Sequence, residues 1–148
     1  MKNIITFLLL SIGLSLNAQL ISVTEGGNTG QRLSVSNAAN HGDIGSNAVD
    51  LSYTIVSSTT FGATGLYSIA TGRYTTASGT ASTAMGEFTT ASGYNSTAMG
   101  YATTASGNYS TAMGVETTAS DYASTVIGQW NSSGSSVTNS ATSFNAGS

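Results

Sequence analysis

Side-chain catalysis needs a titratable group beside a nucleophile or a metal, and this chain carries few such groups. His41 is its single histidine, cysteine is absent, and the acids are Glu25, Asp43, Asp50, Glu87, Glu116 and Asp121. One arrangement would do chemistry: His41 as base, Asp43 or Asp50 as its orienting carboxylate, and a serine as nucleophile. No Gly-x-Ser-x-Gly elbow presents such a serine, and a lone histidine in a loop-like segment reads as a surface residue. Zinc requires clustered His, Cys or carboxylate ligands, and the sequence gathers none. A calcium-binding solenoid repeats an aspartate in every turn, whereas only Asp121 stands at a repeat turn here. No Gly-Lys-Ser/Thr follows the glycines, so they do not read as a phosphate loop. The expectation is a non-enzymatic protein with no catalytic residue, no metal and no cofactor.

The side chains that remain able to make contacts recur at fixed spacing. Residues 75–88 read TTASGTASTAMGEF, 89–102 TTASGYNSTAMGYA, 103–116 TTASGNYSTAMGVE and 117–130 TTASDYASTVIGQW. Residues 61–74, FGATGLYSIATGRY, are a degenerate copy in the same register. In an extended segment, residues two apart share a face. Thr76 with Ser78, Thr90 with Ser92, Thr104 with Ser106, and Thr118 with Ser120 therefore form a grid of hydroxyls and methyls. Such grids resemble the Thr-x-Thr surfaces of ice-binding solenoids, although here the motif is Thr-x-Ser. The second recurring set is aromatic. Tyr94, Tyr101, Tyr109, Tyr122 and Trp130 occupy the variable letters and are the candidate contacts for a partner macromolecule or glycan.

The elements that position these residues follow from the period. Fourteen residues are too few for helix-pair repeats, and two glycines per unit would cost a helix heavily. Thr-Thr-Ala-Ser and Ser-Thr-Ala-Met are short strand-like segments bounded by glycine. Two strands and two turns per unit make one coil of a β-solenoid, so the fold class is all-β. Stacked coils place identical letters about 4.8 Å apart. Met85, Met99, Met113 and Ile127 are expected to form one core ladder. Ala84, Ala98, Ala112 and Val126 form a second, and Ala77, Ala91, Ala105 and Ala119 a third. Glycines mark the turns, with Asp121 standing where Gly79, Gly93 and Gly107 stand in the other units; aspartate tolerates left-handed backbone better than most residues. The core is thin. With no disulfide or metal to staple it, oligomerisation is the remaining device, and the alanine ladders would let neighbouring chains approach closely.

Composition agrees with an exported, sparsely charged surface protein. Only 6% of the 148 residues are charged and 39% are hydrophobic, with 18 glycines and no proline. Residues 1–18 have the layout of a secretory signal peptide: Lys2, an apolar run from Ile4 to Leu16, and a small residue, Ala18, at the cut. The run is too short to span a bilayer, which needs about 20 residues, so no membrane-spanning segment is expected in the mature chain. Beyond residue 18 the six acids face only two bases, Arg32 and Arg73. That balance excludes nucleic-acid binding through phosphate neutralisation. Residues 19–60 read as a capping segment, 61–130 as the repeat array and 131–148 as a polar tail.

The units resemble the head repeats of YadA-like trimeric autotransporter adhesins, of the kind found in secreted Bacteroidetes proteins. Ala77, Gly79, Ser82, Ala84 and Gly86 carry the likeness. It recurs at Ala91, Gly93, Ser96, Ala98 and Gly100, then at Ala105, Gly107, Ser110, Ala112 and Gly114. Ala119, Ser124, Val126 and Gly128 continue it. The resemblance implies a left-handed parallel β-roll, a homotrimer, and the head of a surface fibre that mediates cell adhesion. It implies no catalytic residue. It also implies an extracellular location, associated with the outer membrane where a full-length protein carries an anchor. The stalk and barrel anchor of complete adhesins of this type do not follow residue 130, so the chain is expected to be a truncated piece. A spacer with no ligand is the plainest alternative.

Overall fold

The computed structural model describes residues 19–132. They form a parallel β-solenoid with a period of fourteen residues. Each coil has one long and one short strand. The long-strand sheet contains β1 (Leu20–Glu25), β2 (Asn28–Leu33), β3 (Val49–Tyr53), β5 (Ile69–Arg73), β7 (Thr83–Glu87), β9 (Thr97–Tyr101), β11 (Thr111–Val115) and β13 (Thr125–Gln129), in that spatial order. The short-strand sheet contains β4 (Gly62–Ala63), β6 (Thr76–Ala77), β8 (Thr90–Ala91), β10 (Thr104–Ala105) and β12 (Thr118–Ala119). All pairings are parallel except that of β1 with β2. Each repeat letter sits on its own copy in the next coil: Ala84 on Ala98, Ala98 on Ala112, Ala77 on Ala91.

Two alanine columns form the core. Ala70, Ala84, Ala98 and Ala112, followed by Val126, come from the long strands, and Ala63, Ala77, Ala91, Ala105 and Ala119 come from the short ones. The expected methionine ladder is not among them. Met85 and Met113 are 41% and 36% exposed, and Ile127 is 61% exposed. Successive side chains on a strand point to opposite faces, so Ala84 pointing in sends Met85 out. By the same alternation the inner places fall to Thr75, Thr89, Thr103 and Thr117 and to Ser82, Ser96 and Ser110, all buried. The alanines are sealed inside their own chain and cannot serve as a surface for neighbours.

Glycine has two separate duties. At Gly86, Gly100 and Gly114 the backbone is left-handed, with φ of 124, 124 and 130°. At Gly79, Gly93 and Gly107 it is not; there a methyl would come within 2.0–2.1 Å of the next coil's carbonyl oxygen. Asp121 is therefore no left-handed exception. It replaces glycine in the last regular coil, where no further described coil stacks on it. The left-handed places in this turn belong instead to Ala81, Asn95, Tyr109 and Ala123, the second letter of each variable pair.

The segment before the repeats closes the roll. Gly26 and Gly27, at φ 54 and 83°, turn β1 back on β2. Asn37 caps a short 3-10 turn at Ala38–Asn40 through its side-chain oxygen and Ala39 N–H. β3 then adds a further coil: Val49 pairs with Ile69 and Asp50 with Ala70. The signal-like residues 1–18 and the tail beyond residue 132 lie outside the described residues. No helix among the described residues is long and apolar enough to cross a membrane.

Candidate functional site

The titratable residues do gather, at the closed end of the roll. Arg32 and Asp50 come from adjacent strands, and both are buried. Arg32 Nε donates to Asp50 Oδ2 at 3.2 Å, its Nη1 to Glu25 Oε1 at 2.7 Å and its Nη2 to the Gly42 carbonyl at 3.0 Å. Glu25 Oε2 accepts from Ile44 N–H. His41, expected at the surface, is buried with Nδ1 3.0 Å from Asp50 Oδ2. Ser52 donates to Asp50 Oδ1 from both its hydroxyl, at 2.6 Å, and its N–H, at 3.0 Å. Burial alone would push the Asp50 carboxyl up. Hydrogen bonds from His41 and Ser52 outweigh it and hold the group below its ordinary value.

This cluster has the members of a Ser-His-Asp set without its geometry. A triad needs the serine on one imidazole nitrogen and the carboxylate on the other. Here Ser52 Oγ, at 3.4 Å, and Asp50 Oδ2 both approach Nδ1. Asp43 lies instead beside the Gly26 turn, where a methyl on Gly26 would meet its Oδ2. Clefts of about 320 and 310 Å³ flank His41. The arrangement locks β1, β2, β3 and the loop at Gly42 together. Among the described residues, no three His, Cys, Asp or Glu side chains converge as metal ligands.

The repeat residues lie on three outer surfaces. Thr76, Thr90, Thr104 and Thr118 stack in register on the short-strand sheet. Thr75 and Ala77 point inward on either side of Thr76, so Thr76 points outward. Ser78, Ser92, Ser106 and Ser120 share that outer face, with Ser78 and Ser92 exposed and the other two half-buried. The outer face of the long-strand sheet carries Leu51, Met85, Met99, Met113 and Ile127 in one column, interrupted by Thr71.

The five aromatic candidates divide between two rims. Tyr94, Tyr109 and Tyr122 form a ladder on one, with ring centres 5.4 Å apart at each step. Tyr101 and Trp130 belong to the opposite rim. There Phe61, Tyr74, Phe88 and Tyr101 make a second row, with centres 5.4, 5.0 and 6.0 Å apart. Arg73 lies over the Tyr74 ring at 4.5 Å and pairs with Glu87. Trp130 is 72% exposed. Sequence reasoning overlooked Phe61, Tyr74 and Phe88; their spacing of one or nearly one repeat was the available signal. It also overlooked Arg32 and Glu25, whose partners are set by a hairpin.

Residues 63–89, 77–103, 91–117 and 105–129 match the family model described as YadA head domain repeat (2 copies). No curated protein and no solved structure matches the chain.

Proposed function

From the match of residues 63–129 to the YadA head repeat model, we propose that the chain is the head region of a trimeric, adhesin-like fibre. It is exported, stands at the cell surface, and acts by binding rather than by catalysis. The observation that carries the reading is the outward column of Leu51, Met85, Met99, Met113 and Ile127. The repeat coils, whose core is alanine up to Val126, keep their larger apolar side chains on the outside. An extended apolar face of this kind is an interaction surface, and other copies of the chain cover it. The variable rims remain open, and their tyrosines and Trp130 are the contacts for a host or surface macromolecule or glycan.

Light scattering on purified residues 19–148 tests the assembly. A mass three times that of the chain is expected, and a folded monomer would overturn it. Binding to immobilised matrix proteins and glycans, compared with Tyr94→Ala/Tyr109→Ala, tests the rim. Equal binding by both proteins would remove the tyrosine ladder as the contact.

A second reading rests on the short-strand sheet. Its outward hydroxyls repeat in strict register and without charge, the arrangement an ice surface would match. Thermal hysteresis in solution supports that reading, and its absence excludes it.

A further inference from the structure

Apart from Met1, every sulfur atom in the chain stands in one column. There are four methionines and no cysteine. Met85, Met99 and Met113 are paired in register across β7, β9 and β11. They point away from the core, and Met85 and Met113 are 41% and 36% exposed. Ile127 fills the next place in the column, so the position accepts a branched aliphatic and packing does not demand methionine. What methionine adds is a soft, flexible thioether that oxidants convert into a polar sulfoxide. No thiol competes for the oxidant.

We propose that the Met85–Met99–Met113 column is a modification site for peroxide-class oxidants, and that its oxidation withdraws this face from assembly. The inference rests on the reading that other copies cover the face. In each step a sulfur lone pair attacks one peroxide oxygen. The O–O bond breaks, an S–O bond forms, and the other oxygen leaves with a proton as hydroxide. The S–OH proton then passes to that hydroxide, giving sulfoxide and water. Sulfur loses two electrons and the peroxide gains them. The product is a line of strong acceptors, and burying them without donors is unfavourable. On the single chain Met85 and Met113 are exposed and Met99 is half-buried, and in the assembly all three are covered. Oxidation therefore acts on the chain before it assembles.

The test unfolds the full chain in guanidinium, treats it with hydrogen peroxide, removes the oxidant and refolds it beside a mock-treated sample. Intact mass counts the added oxygens, circular dichroism reads the β-fold, and light scattering reads assembly. The mock-treated chain is expected to form trimers. The oxidised chain is expected to refold and remain monomeric, with its trimer fraction lowered more than about tenfold. Methionine sulfoxide reductases acting on both epimers restore assembly. A Met85→Leu/Met99→Leu/Met113→Leu chain assembles with or without peroxide. The proposal is overturned if the fully oxidised chain assembles like the mock, if it loses its β-fold, or if peroxide also blocks the leucine variant. A mock-treated chain that folds as a monomer overturns the assembly reading itself, and the switch with it.

Discussion

Thr103 has its whole side chain inside the roll, and its Oγ1 meets no hydrogen-bond partner within the protein. Thr75, Thr89 and Thr117 repeat the situation. Leaving a buried hydroxyl unpaired costs about 1–3 kcal/mol. Valine keeps the branched shape that fills the space and lacks the hydroxyl. Thr103→Val is expected to stabilise the chain by about 1 kcal/mol and to raise its thermal midpoint by roughly 4 °C. A melt followed by circular dichroism checks this, and a lower midpoint would show that the hydroxyl is satisfied. The inward threonine and outward methionine were legible in the strand alternation, because Ala84 and Met85 are adjacent and cannot share a face. Hydropathy argues the other way, since it assigns the larger apolar side chain to the core. Alternation prevails because the inner space between the two sheets admits only small residues.

Stacking at the level of coils depends on the glycine columns. At Gly100 the backbone is left-handed, and a methyl would stand 2.0 Å from the Gly114 carbonyl. Gly100→Ala is therefore expected to cost about 3 kcal/mol, read as a lower midpoint in denaturant; an unchanged midpoint would mean the coils can separate freely. The closed end depends on charge instead. The Asp50 carboxyl is held below its ordinary value of 3.8, so its ionised form stabilises the fold. That contribution is complete above the ordinary value and disappears as pH falls through the lowered one. The wild-type thermal midpoint is expected to drop in this acid window. Asp50→Asn should be less stable at neutral pH and lose most of that dependence. Parallel pH profiles for the two proteins would rule out this role for Asp50. The repeat coils were readable because each letter predicts its own partner one period away. The cap was not, because Arg32, His41 and Asp50 have no periodic relation and meet only through tertiary folding. The Gly26-Gly27 pair was the one local signal for its hairpin.

For the whole molecule, the period determines the roll, but a single chain's sequence does not say which outer face would meet other copies in the proposed assembly. Three surfaces compete: the hydroxyl grid, the aromatic rims and the methionine column. The grid suits water or an ordered water-like surface, and the rims vary from coil to coil. Only the column is both apolar and nearly uniform, as a contact repeated along a fibre needs to be. Met99 lies in its middle, with Met85 and Met113 on either side. Met99→Glu leaves the alanine core untouched, because the side chain points outward. In an assembly it would bury like charges from every chain without partners, a cost of several kcal/mol for each ion. The variant is expected to keep the β spectrum of the native chain and to scatter light as a monomer at neutral pH. Assembly should return in part below the carboxylate range, where the glutamate is neutral. A Met99→Glu trimer at neutral pH would mean that another face makes the contact, and the methionine column would then be a free surface of the fibre.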